Sequence, residues 1–517
     1  MATAPPKSIV QAPVRSEQQV QATDDIVSDS LAMGVMFALV LTVVGRLVGF
    51  LRGLLFCRLM TDQQLGQWSM VWSFLMLLAP LALLGLPGCF GRFVEYYRQR
   101  GQMGFFVKRI ATISAGTTTL LATSIFLMPQ WYSWLVFRDS THTNIVNCLG
   151  IAIIFVSANH FVTSLLESLR QVRVVAIMRF LLGLSFAVVG CGMLLVWADG
   201  SSAATLAYAL SCLIASLPAI WFLWKYRAGF ADDGEPLEAG ALWRRIAPYA
   251  VWLWWSNLFH NLFEVSDRYM LIHWSPVDAD LAQGFVGQYH SGRVIPLLLV
   301  SIAAMLAGLL MPYMSAAWER GNRARARVQL NWTIKLVSLS FTGVGVVVLF
   351  LAPMMFETIL QGRYNDGLAV LPLTLVYCTW FSLFTVGQDY LWVAEKGRLV
   401  FVTAAIGLTV NIVLNLVLIP ILGLWGAVIA TSIANAFNVG ILYWLNHQTG
   451  CAGDPGVWIC AFVPLLLLLP PLQALGALTI MGLVAFSTNL IISAEDRSQV
   501  GPEIRIFVDK LKTRFQR

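Results

Sequence analysis

NIVLNLVLIPILGLWGAVIATSIANAF, residues 411–437, decides the fold. It holds no charged side chain, and Pro420 and Gly423 interrupt it, so it reads as the end of one apolar helix (399–420) and the start of the next (424–446). Working outward in both directions, similar blocks of about 20 residues recur along the chain. We place helices at 31–59, 68–91, 107–128, 144–165, 174–197, 202–225, 246–272, 285–311, 333–353, 367–391, 399–420, 424–446, 456–470 and 472–493, fourteen spans in all. The last two form a tight pair broken by Pro470 and Pro471. Composition agrees: of 517 residues 58% are hydrophobic and only 12% charged, with mean hydropathy +0.72. A soluble domain carries about a quarter charged residues, so the expected class is an all-α polytopic membrane protein.

The net charge of +7 would suit a nucleic-acid partner if the basic residues were clustered. They lie instead in alternate loops. Arg92, Arg98, Arg100, Lys108, Arg109, Arg170, Arg173, Lys225, Arg227, Arg244, Arg245, Arg320, Arg323, Arg325, Arg327, Lys396 and Arg398 fill the even loops, while the odd loops between 60 and 366 offer Arg138 and Arg363. Basic loops stay on the cytoplasmic side, so both termini are expected inside and no nucleic-acid partner is expected. Residues 1–30, polar and without an apolar core, read as a disordered cytoplasmic tail. Residues 494–517 carry Ile504, Val508, Leu511 and Phe515 on one helical face beside Lys510, Lys512 and Arg514; such a helix can lie on anionic membrane lipids or touch the protein.

The segment 226–245 reads as a linker between two halves, with Asp232, Asp233, Glu235 and Glu238 a solvated acidic patch. LGQWSMVWSF at 65–74 matches FVGQYHSGRV at 285–294, aligning Gly66-Gln67-Trp68 with Gly287-Gln288-Tyr289 at an offset of 221. Six spans separate the copies. The repeats therefore run in the same direction, which predicts two six-helix lobes, 31–225 and 246–446, around a central cavity, with 456–493 as two extra helices. No Walker A, GxGxxG, HExxH or GxSxG motif is present, so no catalysis, cofactor or metal is expected. The eight cysteines are scattered and read as free.

Ionisable side chains within the spans are the candidate site. Arg46, Arg52 and Arg58 recur every six residues in the first span and so point in three directions. In the seventh span, WLWWSNLFHNLFEVSDRYMLIHW, Glu264 and Arg268 are four apart and able to pair, which leaves Asp267 for another arginine or a coupling cation. His290 and Arg293 share a face of the eighth span, with Pro296 beyond to bend it. Arg46, Arg52, Arg268 and Arg293 suit an anionic, phosphate-bearing substrate; Glu264, Asp267 and His290 suit coupling or ion pairing. Asn411 and Asn415 share a face of the eleventh span, where hydrogen bonds to a neighbouring helix are expected.

DRYMLIHW, FVGQYHSGRVIPLLLVSIAAMLAGLLMPYMSAAWERG, QGRYNDGLAVLPLTL and the opening stretch resemble the polysaccharide transporters of the MATE-like flippase superfamily, over about residues 31–446. The most specific element is Asn411-x3-Asn415 followed by Pro420 and Gly423-x2-Gly426-Ala427-x2-Ala430-Thr431. The resemblance implies lobes that open alternately and move an undecaprenyl-pyrophosphate-linked oligosaccharide across the inner membrane without ATP hydrolysis. It also implies basic cavity residues for the pyrophosphate, Arg46 and Arg52 first, and a setting among glycan polymerases and glycosyltransferases. A multidrug or metabolite exporter, a lipid II flippase and a non-transporting scaffold fit the same topology. They separate on ligand charge: a lipid pyrophosphate needs a cationic cavity, an organic cation an acidic one.

Overall fold

The computed structural model describes residues 31–230, 232, 239–451, 454–488 and 490–493. The two terminal tails and most of the acidic linker lie outside them. The described chain is helical: α1 (Leu31–Leu59), α2 (Asp62–Ala82), α3 (Phe90–Arg98), α4 (Met103–Leu127), α5 (Pro129–Phe137), α6 (Thr143–Ser168), α7 (Val172–Val196), α8 (Gly200–Lys225), α9 (Ala239–Trp274), α10 (Ala279–Arg293), α11 (Pro296–Glu319), α12 (Arg323–Thr358), α13 (Asn365–Gly387), α14 (Asp389–Val393), α15 (Gly397–Leu422), α16 (Leu424–Gln448), α17 (Pro455–Phe462) and α18 (Pro471–Ser487). Among the described residues, eleven helices are long and apolar enough to cross a membrane. The 36-residue α9 occupies the expected seventh span. The last pair is shorter than expected, with α17 tightening into a 3-10 turn at Val463–Leu468 before Pro470.

Three expected spans are broken, each for a local reason. The second ends at Ala82 because Gly85 takes a left-handed φ of 66° and any Cβ there would lie 2.8 Å from the Ala250 carbonyl oxygen. The eighth splits at Val294–Ile295, since Pro296 has no N–H to continue the ladder and suits the first turn of a new helix. The tenth breaks at Gln388 between α13 and α14. α9 starts at Ala239, within the segment read as a linker, and Asp232 accepts the Phe105 backbone N–H at 2.9 Å in the first turn of α4.

The chain divides into two compact units, Met1–Arg52 with Met70–Val265, and Gly53–Ser69 with Ser266–Arg517. In the first, α7 and α6 pack on α8, and Phe90, Phe93, Tyr97, Phe106, Leu242 and Ile246 belong to its buried core. In the second, α15 and α13 pack on α16 and α11 packs on α13. Lys335 of α12 is buried within this unit and pairs with Asp454, while the Ser338 hydroxyl donates to the Cys460 carbonyl at 2.5 Å, tying α17 to α12.

The two copies of the matched GQ motif meet in this second unit. A Cβ on Gly66 would lie 1.8 Å from the Gln283 carbonyl oxygen, and one on Gly287 would lie 1.9 Å from that of Asp62. At the offset of 221 these contacts are reciprocal, because Asp62 corresponds to Gln283. Ser69 and His290, also equivalent, meet at 3.2 Å. Two helices crossing at small residues bring their backbones together, which is why both motif copies carry glycine.

Candidate functional site

The second unit encloses one carboxylate with unusual completeness. Asp267, buried on α9, accepts four hydrogen bonds: Asn411 Nδ2 at 2.9 Å and Asn415 Nδ2 at 2.8 Å on Oδ1, and Thr431 Oγ1 at 2.7 Å and Tyr289 Oη at 3.0 Å on Oδ2. Each donor comes from the helix period. Asn411 and Asn415 are one turn apart on α15, while Thr431, on α16 just after the Gly423 turn, faces them and takes an Asn411 N–H at 3.2 Å. Tyr289 comes from α10, and its hydroxyl accepts from Tyr377 of α13 at 3.3 Å. Ser266, beside Asp267, donates to Asn411 Oδ1 at 3.1 Å.

Asp267 forms no ion pair among the described residues. Burying a carboxylate without a counter-charge is expensive, and the four neutral donors are what make it tolerable. Arginines stand nearby: Arg268, next to it in sequence, is buried, and the Arg293 guanidinium lies 5.0 Å from the Tyr289 ring centre. The cage continues into a polar seam between α15 and α16. Asn438 lies against Gly407, where a Cβ would come within 2.2 Å of its carboxamide. The buried Asn415, Asn435 and Asn438 Oδ1 atoms have no donor among the described residues.

The expected site residues are thus partly assembled. Asp267 and Arg293 both meet Tyr289, and Arg268, next to Asp267 in sequence, is buried. His290 instead meets Ser69. The Glu264 side chain lies outside the described residues, so its expected pairing with Arg268 is not part of this picture, and Asp267 is fully engaged where a spare carboxylate was expected. Arg52 is half-buried in the first unit, its guanidinium 4.4 Å from the Phe186 ring centre, with Tyr208 edge-on to Phe186 at 5.1 Å and Trp72 edge-on to Tyr208 at 4.8 Å. Arg46 is exposed on α1, whose surface is largely open and apolar. Sequence reasoning missed Tyr289, Tyr377 and Thr431 as parts of the site. Thr431 stood inside the motif that carried the resemblance, and Tyr289 is next to His290.

A bundle of long apolar helices that encloses a buried carboxylate has the build of a multi-pass membrane protein. Residues 31–318, more than half of the chain, match the family described as "Polysaccharide biosynthesis protein", and the chain belongs to that family. Its fold is shared with the lipid II flippase MurJ in an inward closed conformation (TM-score 0.65, 14% identity, 88% of this chain and 100% of that one). It is shared also with an inward-facing multidrug resistance MATE family transporter of the MOP superfamily (TM-score 0.60, 15% identity, 80% and 98%). A MOP superfamily transporter from Pyrococcus furiosus, described as having a binding pocket of reverse polarity, matches with TM-score 0.52 at 15% identity over 83% and 96%. No curated protein matches the chain in sequence. The chain thus has the fold that these flippases and transporters share.

Proposed function

We propose that the protein is a flippase for a polyprenyl-pyrophosphate-linked glycan, working by alternate opening of two repeats, 31–225 and 246–446, with its basic loops and both termini in the cytoplasm. The observation that carries this reading is the pattern of charge at membrane depth. Arg52, Arg268 and Arg293 are cations within the helices, whereas Asp267 is enclosed by four donors and is not offered to an organic cation. A guanidinium in such surroundings favours a phosphate oxygen partner.

Two cargoes of this chemistry are supported by different findings. The likeness to a lipid II flippase over the whole of that chain favours a lipid-linked peptidoglycan precursor. Family membership favours a surface or capsular polysaccharide unit. Asp267 supplies the coupling step in this proposal. A half-turn of the Asn411 and Asn415 carboxamides replaces two N–H donors with two oxygens facing the same carboxylate, an arrangement that repels itself unless a cation or proton arrives. Mass spectrometry of polyprenyl lipids from cells depleted of the protein tests the cargo. Accumulated polyprenyl-pyrophosphate oligosaccharide is expected, lipid II itself would select the peptidoglycan reading, and an unchanged lipid pool with intact surface glycan would refute both.

A further inference from the structure

The first unit carries a second cationic cluster, away from its spans. On α3 and the turn after it, Arg92, Tyr96 and Arg100 are spaced four apart, and on α9 Arg245 and Tyr249 are likewise four apart, so each set lines one helical face. The two faces interlock: Arg92 lies 5.3 Å from the Tyr249 ring centre, and Arg245 lies 3.6 Å from that of Tyr96. Arg100 lies over the same Tyr96 ring, also at 3.6 Å. Two cations each that close to one ring centre can be no farther apart than twice that distance.

The platform under them is packed into the core. Phe93 meets Tyr249 edge-on at 5.7 Å, Tyr97 stacks on Phe106 at 4.6 Å, and Phe93, Tyr97, Leu242 and Ile246 are core residues. A guanidinium stacked on a ring keeps its in-plane N–H donors for a partner at its edge. Among the described residues no carboxylate pairs with Arg92, Arg100 or Arg245, and the nearby Glu95 is engaged by Arg98 at 3.7 Å. Burial and the neighbouring charge of Arg245 both push the Arg100 pKa down, as expected for like charges held together without an anion between them.

We propose that Arg92, Arg100 and Arg245, mounted on Tyr96 and Tyr249, form a binding site for a phosphate-bearing lipid headgroup. The location supports a lipid in preference to a soluble anion. α4 begins at Met103 and becomes an apolar span, and α9 runs from Arg245 toward Trp254 and Trp255, which meet edge-on at 5.1 Å. Paired tryptophans one to three turns from a basic cluster mark the headgroup depth of a membrane helix. The site acts before or beside translocation and stands whether or not the chain is a flippase.

The test uses the full chain in phosphatidylcholine nanodiscs, titrated separately with phosphatidylglycerol, a long-chain polyprenyl pyrophosphate and inorganic pyrophosphate, with retained adducts read by native mass spectrometry. The Arg100→Gln/Arg245→Gln variant is expected to lose at least about tenfold in affinity for one or both lipids, while Arg323→Gln, removing an arginine over Trp318 in another basic loop, leaves both unchanged. Loss confined to the polyprenyl pyrophosphate assigns the site to the carrier; loss confined to phosphatidylglycerol assigns it to bulk acidic lipid. Lipid affinity in the double variant within twofold of the parent overturns the proposal, as does inorganic pyrophosphate binding more tightly than either lipid. If the double variant does not fold, Tyr96→Leu, which keeps every charge and removes the shared ring, must show the same loss.

Discussion

Replacing Asp267 in two ways separates its structural role from its charge. In Asp267→Ala the four donors lose their acceptor in a buried site. One can recover, since the Thr431 hydroxyl already reaches the Ala427 carbonyl at 2.9 Å. The Tyr289 hydroxyl and one N–H each of Asn411 and Asn415 remain, at about 1–3 kcal/mol each, so a loss of roughly 3–9 kcal/mol is expected. Asp267→Asn behaves differently. Its carbonyl oxygen can take the Oδ1 position and accept from both asparagines, and its NH2 can face Tyr289 and Thr431, whose hydroxyls rotate to accept. Weaker neutral hydrogen bonds are offset by relief from burying a charge, leaving a net change within about 1 kcal/mol of zero. Thermal unfolding in one detergent should therefore show a marked drop for the alanine variant and little change for the asparagine variant. Transport in proteoliposomes across a range of pH and Na⁺ then reads the charge alone: Asp267→Asn should lose ion dependence and most of its rate. Equal destabilisation by both variants would refute the hydroxyl-rotation argument, and an unaltered ion profile in a folded Asp267→Asn would remove Asp267 from coupling.

Three further outcomes are expected. Gly66→Ala and Gly287→Ala each place a Cβ within 2 Å of a backbone oxygen of the opposing helix, so the α2–α10 crossing must open; a cysteine pair bridging Ser69 and His290 positions should crosslink in the parent and fail in either variant. Lys335→Met strands the Asp454 carboxylate and should cost about 3–5 kcal/mol, most of it restored by adding Asp454→Asn, as a double-mutant cycle of unfolding would show. Arg52→Ala removes a ring-stacked guanidinium worth about 0.5–2 kcal/mol and should abolish export while membrane abundance stays near normal; a collapse in abundance would make Arg52 a structural residue only.

The spans were legible because a chain in lipid must satisfy its backbone internally, and apolar blocks of helical length have few other readings. Breaks were legible where a residue type forces them, as at Pro296, and not at Gln388, where no side chain announces the interruption. Asp267, Arg268 and the Asn411–Asn415 pair stood out as polar groups inside apolar runs. Their convergence did not, since it depends on how α9, α10, α15 and α16 pack, and no local pattern encodes that. Lys335 escaped notice for a related reason. It follows a basic helix start, and only its burial beside Asp454, more than a hundred residues later, shows it to be an anchor for α17.

The composition of the Asp267 cage bears on mechanism more than its depth does. A buried carboxylate paired with arginine is fixed, because removing either charge strands the other at a cost of several kcal/mol. Asp267 is held by two carboxamides and two hydroxyls. These groups can each present an acceptor in place of a donor by rotation alone. The cage can thus pass between a state that stabilises a bare carboxylate and one that stabilises a bound cation without breaking an ion pair or moving a helix. Donor-less Oδ1 atoms on Asn415, Asn435 and Asn438 extend the same capacity along the α15–α16 seam. Tyr289 then gives the change somewhere to go, since the hydroxyl that must turn when Asp267 changes state belongs to the ring under the Arg293 guanidinium. Under the proposed function, a shift in charge at Asp267 would alter the potential at Arg268 and Arg293, the arginines proposed there to meet the lipid pyrophosphate.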